Sequence, residues 1–413
     1  MADYIHDIED FGDLPPSLLL RLGQILSRRR AVTSRTLDLF LRPQYTSIDL
    51  FDCASKSELS PLLETKSNQW LELGTDDYHK ILASMPRLTR VNLRFTTPMK
   101  DPIFHYMMER DMEIKDLHLD GPNLVTDACW RELFMKLGHR FLSLKLWNLD
   151  SAFDNETARV MCLQCPNLQR LKLKFLHKID NDMLEGISTL KSLQHLSLRF
   201  LDETETKTEP LLQIMSSIGP QLETLSLEEF KSVDDRLLQH IHDHCRHLTK
   251  LRLTLNSTFT DKGLAAFFTG WSNPALTYVD LSSLRDVDMT NPDGPEEPIG
   301  LASDGFVALM KHSGSKIQHL NIASCRHVSY KAFEQVFAQG EIYPNLKYLD
   351  ISFSTVMDDY LAQCIFRCCP ALQRLVVFAC FKIRDIHIPR GVALIGTVGA
   401  TIKIDGITQT ETI

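Results

Sequence analysis

Nowhere does the sequence run to the roughly 18 unbroken apolar residues that a membrane helix needs, so no spanning segment is expected. The acidic opening Met1-Ala2-Asp3 does not read as a secretory leader. A basic surplus is missing as well: 45 Lys and Arg stand against 53 Asp and Glu, for a net charge of −8. Proteins that wrap nucleic acid unaided draw much of their affinity from neutralising phosphates, so any nucleic-acid role here is expected to be local or indirect. No Gly-x-Ser-x-Gly elbow, Gly-rich phosphate loop ending in Lys-Ser/Thr or His-Glu-x-x-His helix is present. Neither catalysis nor a cofactor is therefore expected. Ten cysteines without a leader point to a reducing compartment and to thiols rather than disulfides.

What is present is a repeat. Leu168-x-x-Leu171-x-Leu173, Leu193-x-x-Leu196-x-Leu198, Leu222-x-x-Leu225-x-Leu227 and Leu248-x-x-Leu251-x-Leu253 are clear copies. Others start at Leu88, Ile114, Phe141, Leu276, Ile317, Leu346 and Leu372, with a weaker one at Tyr45, and most successive starts lie 24 to 29 residues apart. That is the period of leucine-rich repeats. In each copy the first, fourth and sixth residues turn inward and those between face solvent, and an amphipathic helix follows, as in Asp261 to Phe268. One unit cannot bury its apolar stripe alone, so the units stack. The expected fold is an α/β right-handed leucine-rich-repeat solenoid, a horseshoe with a parallel concave sheet and convex helices.

The spacing divides the chain into a helical N-terminal cap or docking segment (1–44), the solenoid (45–383) and a C-terminal cap (384–413) in which Thr401 to Ile404 forms a last strand. Two intervals are long. The one after Tyr45 has room for an additional irregular unit, and the one after Leu276 contains Asn291-Pro292-Asp293-Gly294-Pro295-Glu296-Glu297-Pro298, which predicts an exposed loop insertion near 285–302.

The cysteines follow the repeat. Cys53, Cys325 and Cys380 come just after a strand, and Cys165, Cys245 and Cys369 just before the next. A thiol there is small, tolerates burial and donates weakly to a carbonyl in the bend. The sharper reading is a metal site. Cys162-x-x-Cys165 has zinc-ligand spacing, and His240, His242, His244, Cys245 and His247 are dense. No second pair stands at finger spacing, however, and a helix end accounts for the histidines. Cys364, Cys368 and Cys369 are read in the same structural way, so no metal ligand is expected.

The outward strand positions give the candidate contact surface. Lys145, Trp147, Arg170, Lys172, Lys174, Phe175, His195, Arg199 and Phe200 come first, then the acidic Glu223, Glu228 and Glu229, then Lys250 and Arg252. Tyr278, Asp280, His319, Tyr348, Asp350, Phe353, Arg374 and Phe378 follow. Basic residues interleaved with aromatics serve as protein hot spots, and they also hold single-stranded nucleic acid. Ahead of the repeats, Ser17 to Leu26 reads as an N-capped helix with Leu18, Leu22, Ile25 and Leu26 on one side, and Ser34 to Leu41 as a second short helix. The first helix either covers the open end of the solenoid or docks on another subunit through Leu18, Leu19, Leu22, Ile25 and Leu26. Leu14-Pro15-x-x-Leu18-Leu19 looks like the start of an F-box without its later Val-Cys-x-x-Trp part. Leu19 and Gly23 loosely fit an elongin-C-binding box.

Ile8 to Asp13, Ile25 to Arg30, Leu50 to Cys53 and Asp120 to Trp130 together resemble the fungal Rad-seven-type nucleotide-excision-repair proteins, whose repeats contain cysteine as those of F-box adaptors do. The resemblance covers nearly the whole chain. It implies a nuclear, non-catalytic substrate-recognition or scaffold subunit of a cullin-type ubiquitin ligase. The partners it implies are a Swi/Snf-type RING ATPase and elongin C, with damaged DNA contacted indirectly. Members typically carry a long, basic, cysteine-bearing N-terminal extension, and no segment of that kind is present in these residues. Two alternatives stay open: an F-box-like adaptor for a Skp-type subunit, and a direct DNA-binding repair factor.

Overall fold

The computed structural model describes residues 8–12, 14–29, 31–34, 36–51, 73–94, 96, 99–149, 153–176, 180–199, 207–230, 233–256, 258–284, 300–397, 399–404 and 411–412. The chain divides into two compact units, Met1–His195 with Arg199–Thr204 and Leu196–Leu198 with Glu205–Ile413. The expected insertion at 285–302 falls outside the described residues up to 299. So do most of the expected irregular unit after Tyr45, and Cys53.

In the first unit, α1 (Pro16–Arg28) precedes β1 (Ser47–Leu50), and strands and helices then alternate. They are α2 (Thr75–Ser84), β2 (Arg90–Leu93), α3 (Asp101–Glu109), β3 (Asp116–Asp120), α4 (Asp127–Leu137), β4 (Ser143–Leu149), α5 (Asn155–Gln164), β5 (Arg170–Leu176), α6 (Asn181–Ile187) and β6 (His195–Arg199). β1 to β5 are parallel neighbours in chain order. The register places Arg90, Asp116, Ser143 and Arg170 in one row and Asn92, His118, Lys145 and Lys172 in the next. Between the rows, Val91, Leu93, Leu117, Leu144, Leu146, Leu171 and Leu173 point into the core, and none is more than 2% exposed. Behind them Trp130 packs on Phe104 at 4.9 Å and edge-on to Phe153 at 5.7 Å.

The second unit repeats the scheme. It holds α7 (Thr208–Ile218), β7 (Thr224–Glu228), α8 (Arg236–His244), β8 (Lys250–Thr254), α9 (Asp261–Thr269), β9 (Tyr278–Asp280), α10 (Ser303–Ser313), β10 (His319–Asn321), α11 (Tyr330–Phe337), β11 (Tyr348–Asp350), α12 (Asp359–Cys368) and β12 (Arg374–Val376). β7 to β12 are again parallel in chain order. At the end the repeat does not simply fade. After β13 (Asp385–Ile388), β14 (Ala393–Ile395) adds a parallel strand beside β12. β15 (Thr401–Ile404) pairs with β13 and with β16 (Glu411–Thr412) in a separate small sheet.

Polar residues lock each unit to its neighbour. Thr126, Asp154, Thr260, Ser329 and Asp358 cap the helices that follow them, each accepting a backbone N–H. An aspartate near the helix start then accepts from the next unit's turn: Asp101 from Thr126 N at 2.8 Å, Asp235 from Thr260 N at 3.0 Å, Asp359 from Arg384 N at 2.8 Å. Asp261, itself buried, accepts from the backbone N–H groups of Ala302, Asp304 and Gly305. The chain leaves most strands through one residue of positive φ. Two of these are glycine and the rest are not: Gly121, Asn148, Phe175, Glu229, Leu255, Ser283, Ser324, Phe353, Ala379 and Gly396. The bend recurs at the repeat period although most of its residues carry a Cβ that disfavours it.

The cysteine positions are explained by packing. Cys325 Sγ donates to Leu281 O at 3.2 Å and Cys380 Sγ to Ile351 O at 3.5 Å, each the carbonyl at the end of a preceding strand. Cys165, Cys245 and Cys369 are the C-cap residues of α5, α8 and α12. A Cβ on Gly138 would stand 3.1 Å from Cys165 Sγ, and one on Gly219 3.2 Å from Cys245 Sγ, so each thiol fills the space that a glycine leaves at the previous helix end.

Candidate partner-binding face

On the sheet face of the first unit, opposite the helices, the outward strand residues converge. Trp147 is the centre. Lys172 Nζ lies 4.8 Å above its ring and Arg94 Cζ 5.3 Å, and the His118 ring meets it edge-on at 4.9 Å. Arg94 also covers Phe51, at 4.9 Å. Arg90 pairs with Asp116 at 2.9 Å, whereas Lys145 and Arg170 make no salt bridge among the described residues. The Lys145 ammonium is held below its ordinary value, first by burial and then by Arg170. Burial together with Arg94, Lys145 and Lys172 pulls His118 down to about 3, which leaves its ring neutral at pH 7. Asn92 Oδ1, Arg94 Nε, His118 Nε2 and Trp147 Nε1 are all buried without a hydrogen-bond partner.

Lys145, Trp147, Arg170 and Lys172 are therefore brought together as the alternation implies. Lys174 is a correction: it is only 8% exposed, because it stands in register with Trp147, whose bulk shields it. Phe175, at φ 56°, and Arg199 form a pair of their own, the guanidinium 4.3 Å above the ring. Phe200 lies outside the described residues. Asn92, Arg94 and His118 were missed, although the repeat starts at Leu88 and Ile114 already mark them as outward positions.

In the second unit Tyr278, His319 and Tyr348 stack face to face, with ring centroids 4.3 and 4.1 Å apart. The inner faces are spent within the ladder, which leaves a partner its ring edges and the outer faces of Tyr278 and Tyr348. Glu228 and Asp280 are not exposed as expected. They are buried around Arg252, which pairs with both, reaching Asp280 at 2.7 Å and Glu228 at 3.3 Å.

Helix α1 begins at Pro16, one residue early, with proline in its first turn and no side-chain cap. Leu19 and Leu26 are 4% and 2% exposed and turn inward, together with Gly23, where a Cβ would stand 3.4 Å from Phe40. Gln24 reaches Asp49 at 2.6 Å, and Ser27 Oγ accepts from Phe51 N at 2.9 Å. The box-like Leu19 and Gly23 are thus packing residues, and the docking stripe is corrected to Leu18, Leu22 and Ile25. Leu18 is 51% and Ile25 45% exposed. The second short helix is a 3-10 turn over Leu37–Phe40.

Of the histidines in and after α8, His240 and His244 lie side by side with ring centroids 5.6 Å apart, and the others have separate packing partners. His240 Nδ1 bonds its own helix at Arg236 O and His247 Nδ1 bonds Pro220 O, while His242 packs edge-on to Trp271. Burial pushes the thiols of Cys162 and Cys245 up to about 12 and that of Cys165 up as well. Each is held as a buried thiol at neutral pH.

Strand, bend, helix and cysteine recurring in this order define a leucine-rich-repeat protein, with sheet faces and one helix stripe left open to partners. A Leucine Rich repeat family model matches residues 244–268. The chain is similar to DNA repair protein rhp7 of Schizosaccharomyces pombe, 26% identical over 92% of this chain and 61% of that protein. It is also similar to DNA repair protein RAD7 of Saccharomyces cerevisiae, 22% identical over 89% of this chain and 60% of that one. It thus spans about three fifths of the length of these relatives. The solved crystal structure of the Rad7 and Elc1 complex in yeast matches its fold with a TM-score of 0.77 at 22% identity, covering 96% of this chain and 91% of that one. The resemblance carried by residues 8–13, 25–30, 50–53 and 120–130 is borne out by these relatives.

Proposed function

We propose that this chain is a non-catalytic substrate-recognition or scaffold subunit of a cullin-type ubiquitin ligase serving nucleotide excision repair in the nucleus. The observation that carries the proposal is the double character of α1. Its inner face, Leu19, Gly23 and Leu26, fixes it on its own unit, which leaves Leu18, Leu22 and Ile25 as an i, i+4, i+7 stripe facing water. That spacing suits insertion into a groove on a second protein. The occupant proposed is elongin C, joined through it to a cullin. A solved complex of a similar fold with Elc1 supports a protein partner of this kind, and two relatives named as DNA repair proteins support the setting. The sheet face of the first unit, centred on Trp147, would hold the target or a Swi/Snf-type RING ATPase. The stacked Tyr278 and Tyr348 offer a further contact.

An F-box-like reading rests on Leu14-Pro15 leading into the same helix. A direct DNA-binding reading rests on Lys145, Arg170 and Lys172. Incubating the full chain separately with elongin C and with a Skp-type subunit separates the adaptor readings: capture of elongin C alone is expected. Capture of the Skp-type subunit alone would transfer the role to the F-box reading, and capture of neither would remove both.

A further inference from the structure

Between β2 and β5, the face of the first unit sinks into a recess lined by Asn92, His118, Lys145 and Arg170. Several of its polar groups have no hydrogen-bond partner among the described residues. His118 is only 7% exposed, yet its Nε2 has no partner, and neither does Asn92 Oδ1. Elsewhere on the same face, Trp147 Nε1 is likewise buried and unbonded. The acidic residues nearby are already engaged: Asp116 holds Arg90 at 2.9 Å, and Asp49 holds the Gln24 amide at 2.6 Å. Lys145 and Arg170 make no salt bridge among the described residues, although Asp116 still favours the charge on Lys145. Buried polar atoms and half-desolvated charges without partners are unfavourable until something pairs with them.

We propose that this recess receives a carboxylate side chain from an extended acidic segment of a partner protein, countered by Lys145 and Arg170 and oriented by the ring N–H of His118. The inference rests on the reading of this face as a protein-binding surface and names the chemistry it selects. A peptide fits better than a nucleic-acid strand on two counts. Asn92 Oδ1 needs a donor, which a peptide backbone N–H provides and a phosphodiester does not. Asp49 and Asp116 also line the recess, which leaves the space between Lys145 and Arg170 suited to one carboxylate rather than to a row of phosphates.

The test uses the full chain and a fluorescein-labelled Glu-rich octapeptide, its Gln counterpart and a single-stranded oligonucleotide, followed by fluorescence anisotropy at low salt. The Glu peptide is expected to bind at least ten-fold tighter than the Gln peptide. That preference should be lost in Lys145→Met and in the exposed Arg170→Gln, and retained in Lys250→Met on the second unit. Thermal unfolding midpoints equal to the parent's show that the variants fold. Two results overturn the proposal: Lys145→Met and Arg170→Gln chains that bind the Glu peptide as the parent does, or an oligonucleotide that outcompetes the peptide and depends on the same two residues. If no probe binds while the chain still captures elongin C, the recess assignment fails and the docking of α1 stands. If the Glu peptide binds but elongin C is not captured, the reverse holds.

Discussion

His118 is held neutral by burial and by Arg94, Lys145 and Lys172, so its folded value, about 3, lies below the unfolded value near 6.5. The unfolded chain therefore binds the extra proton between these two values, and stability contributed by the neutral ring is present above about pH 6.5 and lost as pH falls toward 3. Replacing His118 by Gln should flatten the fall in unfolding free energy between pH 7 and 4 by a few kcal/mol, measured by urea unfolding across that range. An unchanged slope would mean that the ring is not shielded. A second residue-scale expectation concerns Gly138, where a Cβ would approach Gln164 O to 2.6 Å. Gly138→Ala should cost about 1–3 kcal/mol, and a midpoint equal to the parent's would contradict the contact. Arg94 and His118 were legible in principle, because they sit at the same alternate positions that marked Lys145 and Lys172. The positive φ of Glu229, Leu255 or Ala379 was not, since those residue types carry no turn signal and the repeat geometry imposes the bend.

Among elements, α1 illustrates how far periodicity reaches. Its apolar spacing marked a helix with Leu18, Leu22, Ile25 and Leu26 on one side, but which of its residues pack is decided by Phe40 and Leu50, residues that only the fold brings against Gly23. Leu19→Ala should therefore destabilise the chain by about 2–5 kcal/mol, whereas Leu18→Glu should leave the unfolding midpoint unchanged. Equal effects from the two substitutions would show that the faces are misassigned. The strands were legible from their leucines because each inward position is fully buried. Lys174 was not, because its burial depends on Trp147, a residue one strand away. The aspartate clamps escaped the sequence for a similar reason: Asp261 reads as an ordinary first-turn acid until the backbone of Ala302, Asp304 and Gly305 closes on it. Asp261→Ala leaves buried N–H groups unpaired and should cost about 2 kcal/mol or more in denaturant unfolding.

At the scale of the whole molecule, a chain of net charge −8 presents a local basic recess in its first unit, an internally paired network around Arg252 in its second, and an apolar stripe on its first helix. That distribution suits an adaptor, with separate surfaces for separate partners, better than a protein that grips a polyanion along its length. The repeat alone made the fold legible, through twelve recurrences of one apolar spacing. The partners were not legible from it, because a repeat specifies a surface and leaves its ligand open. The central claim is that the outer stripe of α1 docks this chain on a ligase subunit, and co-purification with elongin C tests it most directly, comparing the parent with Leu18→Glu combined with Ile25→Glu. The account predicts that the parent retains elongin C and the double variant releases it at an unchanged unfolding midpoint. Retention by the double variant, or no capture by the parent, would contradict it.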